Sequence, residues 1–290
     1  MGARQTRRRF LQVTGMGAAA SLAGARSYSG PVPQAPAEQQ VQSSSASKTL
    51  FTLGLASYTF RKFTLAEALA MTQRLRLKYI ALKSFHLPIE SQPDEIAAAA
   101  AKVKEAGITL YGGGVIYMKD APAVHQAFDY AKAAGMKMII GVPSYELLEL
   151  VNQKVQEYHI KVAIHNHGPG DRVYPTPGIA YEKIKTLDAR IGLCIDVGHT
   201  QRAGVDPAEA AQRYADRLLD VHMKDVSAAA PEGRTVEIGR GVIDIPKFLR
   251  TLLKTGYSGI VSFEYEKDAK DPLPGVAESV GYVRGVLASV

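Results

Sequence analysis

The sequence predicts an α/β fold, a (β/α)8 or TIM barrel, for residues 48–290. Eight short apolar runs alternate there with longer segments of helical pattern, at spacings of roughly 25 to 40 residues. The length of this region is close to the about 250 residues that are typical of such barrels. An open nucleotide-binding sheet would carry a glycine-rich phosphate-binding motif after its first strand, whereas here the first run continues into SYTFRKF. The closed barrel is therefore favoured over the open sheet.

The eight candidate strands are rich in β-branched and aromatic residues. They are FTLGLASYTF from residue 51, YIALKSFHL from 79, ITLYGGGVIYM from 108, MKMIIGVPS from 136, IKVAIHNHG from 160, IGLCIDVGHT from 191, LLDVHMKDV from 218 and GIVSFEYE from 259. Helical segments lie between them, such as PDEIAAAAAKVKEAG, with Asp94 and Glu95 in its first turn and Gly107 at its end. Gly112 to Gly114 fall inside the third run, where they indicate a bulge or a close approach of backbones.

The first 47 residues have a different composition. TRRRFLQ precedes a weakly apolar stretch at 13–22 and a small-x-small site at 23–25, so residues 1–25 resemble a twin-arginine-type signal peptide. A disordered basic tail is the alternative. The apolar stretch is too short for a stable membrane anchor. Residues 26–47 are rich in Pro, Gln and Ser and are predicted to be a disordered linker. The expected location is therefore the periplasm, after export.

The basic charge of the chain lies partly in this leader. The whole sequence has a net charge of +7, and residues 1–47 hold five Lys or Arg against one Asp or Glu. Residues 48–290 therefore carry only +3, which does not suggest a nucleic-acid partner. Cys194 is the only cysteine, so no disulfide forms within the chain, and its apolar neighbours indicate a small buried side chain rather than a reactive thiol. The sequence is compatible with a homo-oligomer and does not specify the oligomeric state.

Polar residues collect where the candidate strands end. Five of the seven histidines lie there, together with several carboxylates and lysines: Lys83, Ser84, His86, His165, Asn166, His167, Asp196, His199, His222, Lys224, Asp225, Glu264 and Glu266. The carboxyl ends of barrel strands meet at one rim, which is where barrel enzymes place their active sites. A lone strand-end histidine is more often a hydrogen-bonded surface group. The joint pattern instead predicts a nitrogen and oxygen site for a divalent transition metal.

Four motifs, in order, resemble the xylose-isomerase-like sugar phosphate isomerase/epimerase family, whose superfamily also contains apurinic endonucleases. They are CIDVGHT at 194–200, DVHMKD at 220–225, GRGVID at 239–244 and VSFEYE at 261–266, and they follow an Asn-His strand end at 166–167. The resemblance extends over residues 50–290. It implies that Asp196, His222 and Glu264 are metal ligands and that His199 contacts substrate or a metal-bound water.

His165 departs from the family pattern. Relatives commonly have Glu-Asn-His at this strand end, with the glutamate as the fourth ligand, whereas this chain has His165. Histidine can still coordinate, so the predicted set is two His, one Asp and one Glu, suited to Mn²⁺, Zn²⁺, Fe²⁺ or Co²⁺. The change removes one of the two glutamates that the resemblance assigns to proton exchange.

Proton transfer is then expected from Glu264, His167, His199 or Lys224. An ion pair with Asp225 or another acid is the alternative for Lys224, and a substrate contact is equally compatible with its position. Expected substrate contacts are Lys83, His86, Asn166 and Arg240, although Arg240 equally fits a solvated loop arginine. His125 and His159 lie in helical segments and are expected to be structural.

The predicted function is metal-dependent isomerisation or epimerisation of a small carbohydrate through an enediolate. Export and the missing glutamate motivate an alternative, a lyase that cleaves oxidised (3-keto) glycosides, because elimination needs only one base. An endonuclease and a non-catalytic sugar-binding barrel carry less weight.

Overall fold

The computed structural model describes residues 51–290, so the predicted signal peptide and the predicted linker lie outside the described residues. Eight parallel strands close into a barrel. The strands are β1 (Thr52–Ala56), β2 (Tyr79–Leu82), β3 (Thr109–Met118), β4 (Met138–Pro143), β5 (Lys161–His165), β6 (Ile191–Asp196), β7 (Leu218–Met223) and, after a two-stranded ribbon of β8 (Asp225–Val226) and β9 (Thr235–Val236), β10 (Ile260–Phe263). Each of the eight candidate runs contains one barrel strand, which confirms the predicted TIM barrel.

Helices follow the strands along the chain. They are α1 (Leu65–Arg74), α2 (Pro93–Glu105), α3 (Ala121–Ala133), α4 (Leu148–Tyr158), α5 (Pro177–Ile184), α6 (Val197–Arg202), α7 (Pro207–Arg213), α8 (Ile245–Lys254) and α9 (Leu273–Ala288). The predicted end signals act as expected: Asp94 and Glu95 lie in the first turn of α2, and Gly107 follows it in the left-handed region at φ 67°. Within residues 51–290, every helix is too short or too polar to span a bilayer.

The strands are arranged in the order β1-β10-β7-β6-β5-β4-β3-β2, which closes on itself. Apolar side chains fill the space between the strands and the outer helices. A smaller cluster fills the barrel interior, with Tyr111, Ile140 and Cys194 among its buried members. Cys194 is fully buried, in agreement with the predicted packing role.

The glycine run in β3 lies where two backbones approach closely. The register between β3 and β4 shifts between Gly114 and Ile116. A Cβ atom on Gly114 would lie 2.2 Å from the carbonyl oxygen of Ile140, and Gly114 has φ +154°. The structure therefore shows both features that the glycine run indicates, a register irregularity and close backbone contact.

Asp225 organises the loop that contains the GRGVID motif. Its buried carboxylate accepts hydrogen bonds from four backbone N–H groups: Oδ1 from Val226 and Ile243, and Oδ2 from Gly239 and Gly241. The ion pair predicted for Lys224 is formed with other acids, namely Asp196, Glu264 and Glu266, and not with Asp225, whose carboxylate binds the loop. The backbone N–H of Val242 also donates to the carbonyl oxygen of Val226, so this loop is held against β8.

Candidate metal and active site

Four side chains meet at the carboxyl ends of four neighbouring strands. His165 and Asp196 are the last residues of β5 and β6, His222 is the fifth residue of β7, and Glu264 directly follows β10. The register pairs Asp196 with His222 across β6 and β7. All four are buried, and one ligand atom from each lies within 4.8 Å of the others. The structure thus brings together the four predicted ligands.

The spacing of the ligand atoms fits a metal ion. His165 Nε2 lies 3.1 Å from His222 Nδ1 and 3.4 Å from Asp196 Oδ2, and His222 Nδ1 lies 3.1 Å from Glu264 Oε2. Bonds of about 2.1 Å in a tetrahedral site would separate ligand atoms by about 3.4 Å. Asp196 Oδ2 is buried and lies 2.8 Å from Lys224 Nζ, although not in hydrogen-bond alignment. The two nitrogen and two carboxylate ligands form a donor set that suits Mn²⁺, Zn²⁺, Fe²⁺ or Co²⁺.

The two histidine ligands have different electrostatic surroundings. Burial, and to a smaller extent the neighbouring His222 and His167, hold the pKa of His165 well below its usual range, so its ring is neutral as a ligand must be. Burial would lower the pKa of His222. The carboxylate of Glu264, together with those of Asp220 and Asp196, outweighs burial and raises that pKa. A proton on His222 would have to leave before it could bind a metal.

A lysine lies among the carboxylates of the cluster. Lys224 Nζ is 2.8 Å from Asp196 Oδ2, 2.8 Å from Glu264 Oε2 and 2.5 Å from Glu266 Oε1. Burial alone would raise the pKa of Glu264, but the ammonium and His222 hold that pKa well below its usual range. One ammonium faces three carboxylates, which leaves negative charge that a divalent cation would balance.

Lys224 is unsuited to the role of base that the sequence predicts. Burial would lower its pKa, but Asp196, Glu264 and Glu266 outweigh burial and raise that pKa well above its usual range. The side chain is therefore an ammonium at neutral pH, and it can stabilise negative charge but not accept a proton. Sequence alone does not show how many carboxylates surround a lysine, so it could not separate a proton-accepting role from a charge-stabilising one.

A cavity of about 280 Å³ opens above the cluster and is called the active-site cavity below. It is lined by Tyr58, Lys83, Val115, Tyr117, His165, His167, His199, Lys224, Glu264 and Glu266. Its volume lies at the lower limit of the about 300–1,000 Å³ that small-molecule sites usually have. Polar and charged groups dominate the wall of the cavity, which suits a ligand with many hydroxyl groups.

His167 is held from both sides. Its Nε2 lies 3.1 Å from the hydroxyl of Tyr117, whose ring stacks on the imidazole. Its Nδ1 lies 3.1 Å from Asp171 Oδ2, although not in hydrogen-bond alignment. Asp171 is itself fixed, because its Oδ1 accepts from the backbone N–H groups of Val173 and Tyr174. Because Asp171 lies at the Nδ1 edge of the ring, Nε2 lies at the opposite edge, beside Tyr117 in the wall of the cavity.

His199 lies beside both His165 and His167, with ring centroids 6.1 Å and 5.9 Å away. Its backbone N–H donates to Asp196 Oδ1, so the start of α6 holds the histidine and the carboxylate together. Burial lowers the pKa of His199 and outweighs the attraction of Asp196. The ring contacts the cavity from α6, as the predicted substrate contact requires.

Three residues predicted to bind substrate do not line the active-site cavity. The ring of His86 is buried against Ser57 Oγ and the carbonyl of Phe63. Asn166 turns inward, where its amide binds Thr200 Oγ1 and the backbone N–H of Asp196.

Arg240 lies in the GRGVID loop and pairs with Glu278 on the protein surface, with 63% of its side chain exposed. Of Lys83, His86, Asn166 and Arg240, Lys83 alone lines the cavity, together with His199, for which a substrate contact was also predicted.

Sequence analysis missed several residues around the cavity. Tyr58, Val115 and Tyr117 line it, and Asp171 lies behind His167. Tyr58 and Tyr117 are aromatic residues at strand ends, a signal that could have been used. Asp171 lies in a loop after β5, and its direction depends on the course of that loop.

A model of the family described as xylose isomerase-like TIM barrel matches residues 64–286. The rhizopine catabolism protein MocC of Rhizobium meliloti is 28% identical over 145 residues, which covers 45% of this chain and 44% of MocC. The inosose dehydratase of Geobacillus kaustophilus is 30% identical over 144 residues, 44% of this chain and 45% of that enzyme. The matches thus span less than half the length of these curated relatives.

Solved structures share the fold at low sequence identity. The structure of the IolI protein with a zinc atom has a TM-score of 0.69 at 19% identity and covers 82% of this chain and 99% of IolI. The structure of an L-ribulose 3-epimerase has a TM-score of 0.69 at 15% identity, covering 82% of this chain and 95% of the epimerase. At these sequence identities, the structural similarity shows only that the fold is shared.

Proposed function

The chain belongs to the xylose isomerase-like TIM barrel family, and from that premise we propose that it is a metal-dependent enzyme that removes a proton beside the carbonyl of a sugar. The reaction that we propose first is isomerisation or epimerisation of the sugar through an enediolate. The observation that carries the proposal is the buried cluster of His165, Asp196, His222 and Glu264 beneath a polar cavity. Its relatives named inosose dehydratase add support for small polyol-like substrates.

The four clustered side chains would hold the ion, and bound there it would supply Lewis acidity that lowers the pKa of a C–H bond beside a carbonyl. Lys224 keeps a positive charge next to the same carboxylates and favours negative charge on a nearby substrate oxygen. Its burial fixes the ammonium in place, so little reorganisation is needed when that charge develops.

His167 is the base that the geometry favours. It lines the active-site cavity and is half-buried, and it is oriented by Asp171 and Tyr117 on opposite sides of the ring. Its Nε2 can take a proton from a substrate carbon once the Tyr117 hydroxyl gives way to substrate. Asp171 acts as a positioning residue in this scheme because it touches His167 and does not line the cavity.

A second outcome is elimination, which the departure at His165 favours. A two-base exchange needs a base on each face of the sugar, and His165, inside the ligand cluster, stands in place of one of the two glutamates that the family resemblance assigns to that role. Elimination needs a single base and a proton donor for the leaving group. Several curated relatives bear the name inosose dehydratase, and the word dehydratase describes an elimination. Cleavage of oxidised glycosides is therefore the alternative to isomerisation.

Deuterium exchange tests the shared step. Protein loaded with Mn²⁺, Zn²⁺, Fe²⁺ or Co²⁺ is incubated in D2O with ketoses, aldoses and 3-keto sugars, and exchange is followed by NMR. We expect deuterium at a carbon beside the carbonyl, and an intact skeleton identifies an isomerase whereas a released group identifies a lyase. His167→Gln should abolish exchange and Arg240→Ala, outside the cavity, should leave it unchanged. Absence of exchange with every sugar and metal would contradict the proposal.

We also propose that residues 1–25 direct folded protein to the periplasm. The support is the order of arginines, apolar stretch and small-x-small site. Cell fractionation of the wild type and of the Arg7→Lys/Arg8→Lys double variant tests it. Periplasmic wild type and a cytoplasmic double variant are expected, and equal distribution of the two would contradict export by this route.

A further inference from the structure

Lys83 is a cation in the wall of the active-site cavity that the proposed reaction does not use. It directly follows β2 and lines the cavity. Its ammonium donates to the backbone carbonyl oxygen of Val115 at 2.7 Å, and within residues 51–290 its two other N–H donors have no partner. In the same part of the chain it forms no ion pair, whereas Lys224 has three carboxylates around it. Lys83 is therefore a partly buried cation without a counter-ion.

The barrel places Lys83 across the cavity from the metal cluster. In the closed strand order, β6 is four strands from β2 in either direction, and β5 and β7 are three strands away. Asp196 ends β6 and Lys83 follows β2, so the two residues lie on opposite sides of the barrel mouth. A sugar with its carbonyl group at the cluster would extend toward Lys83 with its far end.

The charges of the cluster and the cavity wall leave that of Lys83 uncompensated. Asp196, Glu264 and Glu266 carry three negative charges, which Lys224 and a divalent ion in the cluster would balance. Burial lowers the pKa of the histidines that line the cavity, so they are neutral at pH 7.

The missing counter-ion has an electrostatic cost. Burial lowers the pKa of Lys83, and the more distant charge of Glu264 offsets this effect only in part. Glu264 already pairs with Lys224, and a bound metal ion would share the same carboxylate. An anionic group of a ligand beside the ammonium would offset the cost of burying that charge.

We propose that the substrate is an acidic sugar of the uronate class, with its carbonyl end at the metal cluster and its remote carboxylate paired with Lys83. The inference rests on the proposed function and names its substrate class. The carboxylate serves for recognition and takes no part in the reaction.

A carboxylate suits this position better than a phosphate. A phosphate monoester carries a charge of about −1.5 to −2 and three strong acceptor oxygens. Lys83 offers one positive charge and two donors, which match a single carboxylate. The residues that line the cavity, all within the described part of the chain, include no arginine that could complete a phosphate site.

Two ligands without a carbonyl group test the pairing without turnover. L-Gulonate and sorbitol have the same hydroxyl-bearing chain and differ only at one end, which is a carboxylate in the first and CH2OH in the second. In calorimetric titrations of metal-loaded full-length protein, L-gulonate should bind about tenfold to a hundredfold more tightly, because a hydrogen bond to a charged group contributes about this factor. Equal or weaker binding of L-gulonate would overturn the inference. Tighter binding of sorbitol 6-phosphate than of L-gulonate would overturn the assignment to a carboxylate.

Substitutions of Lys83 show whether this residue causes the preference. Lys83→Met keeps the length of the side chain and removes its charge, so it should reduce the preference for L-gulonate to about twofold or less. Lys83→Arg should retain the preference. The control is Lys62→Met, since this exposed lysine lies in the loop after β1, does not line the cavity and should leave the preference unchanged.

Two results of the substitutions would overturn the inference. The first is a preference that survives in Lys83→Met, since the metal ion would then hold the carboxylate. The second is an equal loss of preference in Lys62→Met, which would make the effect one of overall charge. Circular dichroism reports the folding of each variant, and Lys83→Gln replaces Lys83→Met if that variant does not fold.

Turnover separates this inference from the proposed function. With metal-loaded wild type in D2O, kcat/KM for deuterium exchange should be about tenfold or more higher for glucuronate and galacturonate than for glucose and galactose. Exchange with the neutral sugars at equal or higher kcat/KM would contradict only this inference. Absence of exchange with acidic and neutral sugars alike would contradict the proposed function itself.

Discussion

Replacing Asp225 with asparagine is expected to destabilise the fold through the GRGVID loop. The asparagine oxygen can keep the two N–H donors of Val226 and Ile243, but its amide nitrogen would face those of Gly239 and Gly241, now 2.9 and 3.0 Å from Oδ2. An unpaired buried donor costs about 1–3 kcal/mol, and these two are only partly buried, so the expected loss is about 2–3 kcal/mol.

Urea unfolding followed by circular dichroism measures this loss. Asp216→Asn is the matched control, since it makes the same chemical change on a carboxylate that is 60% exposed and lies 3.9 Å from Arg217. The control should change the free energy of unfolding by about 0.5 kcal/mol or less. Asp225→Ala should cost more than Asp225→Asn because it removes both acceptor oxygens and with them all four hydrogen bonds. Equal values for Asp225→Asn and the control would refute the role given to this carboxylate.

Three further outcomes are expected. Glu237→Gln should lower the free energy of unfolding by about 1–2 kcal/mol at pH 7, since hydrogen bonds from a lysine and a tyrosine lower the pKa of Glu237 to about 2. That difference should vanish as the pH falls through 4.5 toward 2 in urea titrations, and a pH-independent difference would contradict it. Gly114→Ala should cost about 3 kcal/mol or more, because its Cβ would overlap the carbonyl of Ile140, whereas Gly281→Ala, with no neighbour within 4 Å, should not destabilise. Arg240→Ala should leave kcat/KM within twofold of wild type, and a tenfold loss would place the loop at the substrate.

The barrel and the position of its site could be predicted from the sequence because both follow from local patterns. Apolar runs at regular spacing specify the strands, and parallel closure brings their carboxyl ends to one rim. His165, Asp196 and His222 lie on strands, so their direction is set by the pleat and their meeting follows from the topology. The sequence therefore located the cluster without any knowledge of the loops.

Loop conformation and side-chain partners are what the sequence could not specify. Arg240 points to the surface because Asp225 fixes the GRGVID loop through backbone contacts that no residue pattern encodes. Asn166 follows a strand directly, yet its amide turns inward to hold Asp196. The charge state of Lys224 depends on carboxylates from two other strands, and only the folded structure brings them within reach.

The metal site is tested most directly by counting metal ions per chain. Wild-type protein, Asp196→Ala and His222→Ala are loaded with Mn²⁺, Zn²⁺, Fe²⁺ or Co²⁺, desalted and measured by elemental analysis, with His125→Ala on the exposed face of α3 as control. About one equivalent is expected in the wild type and the control, and little in the two ligand variants. Near-zero occupancy in all four proteins, or equal occupancy in all four, would contradict a metal centre built from these residues.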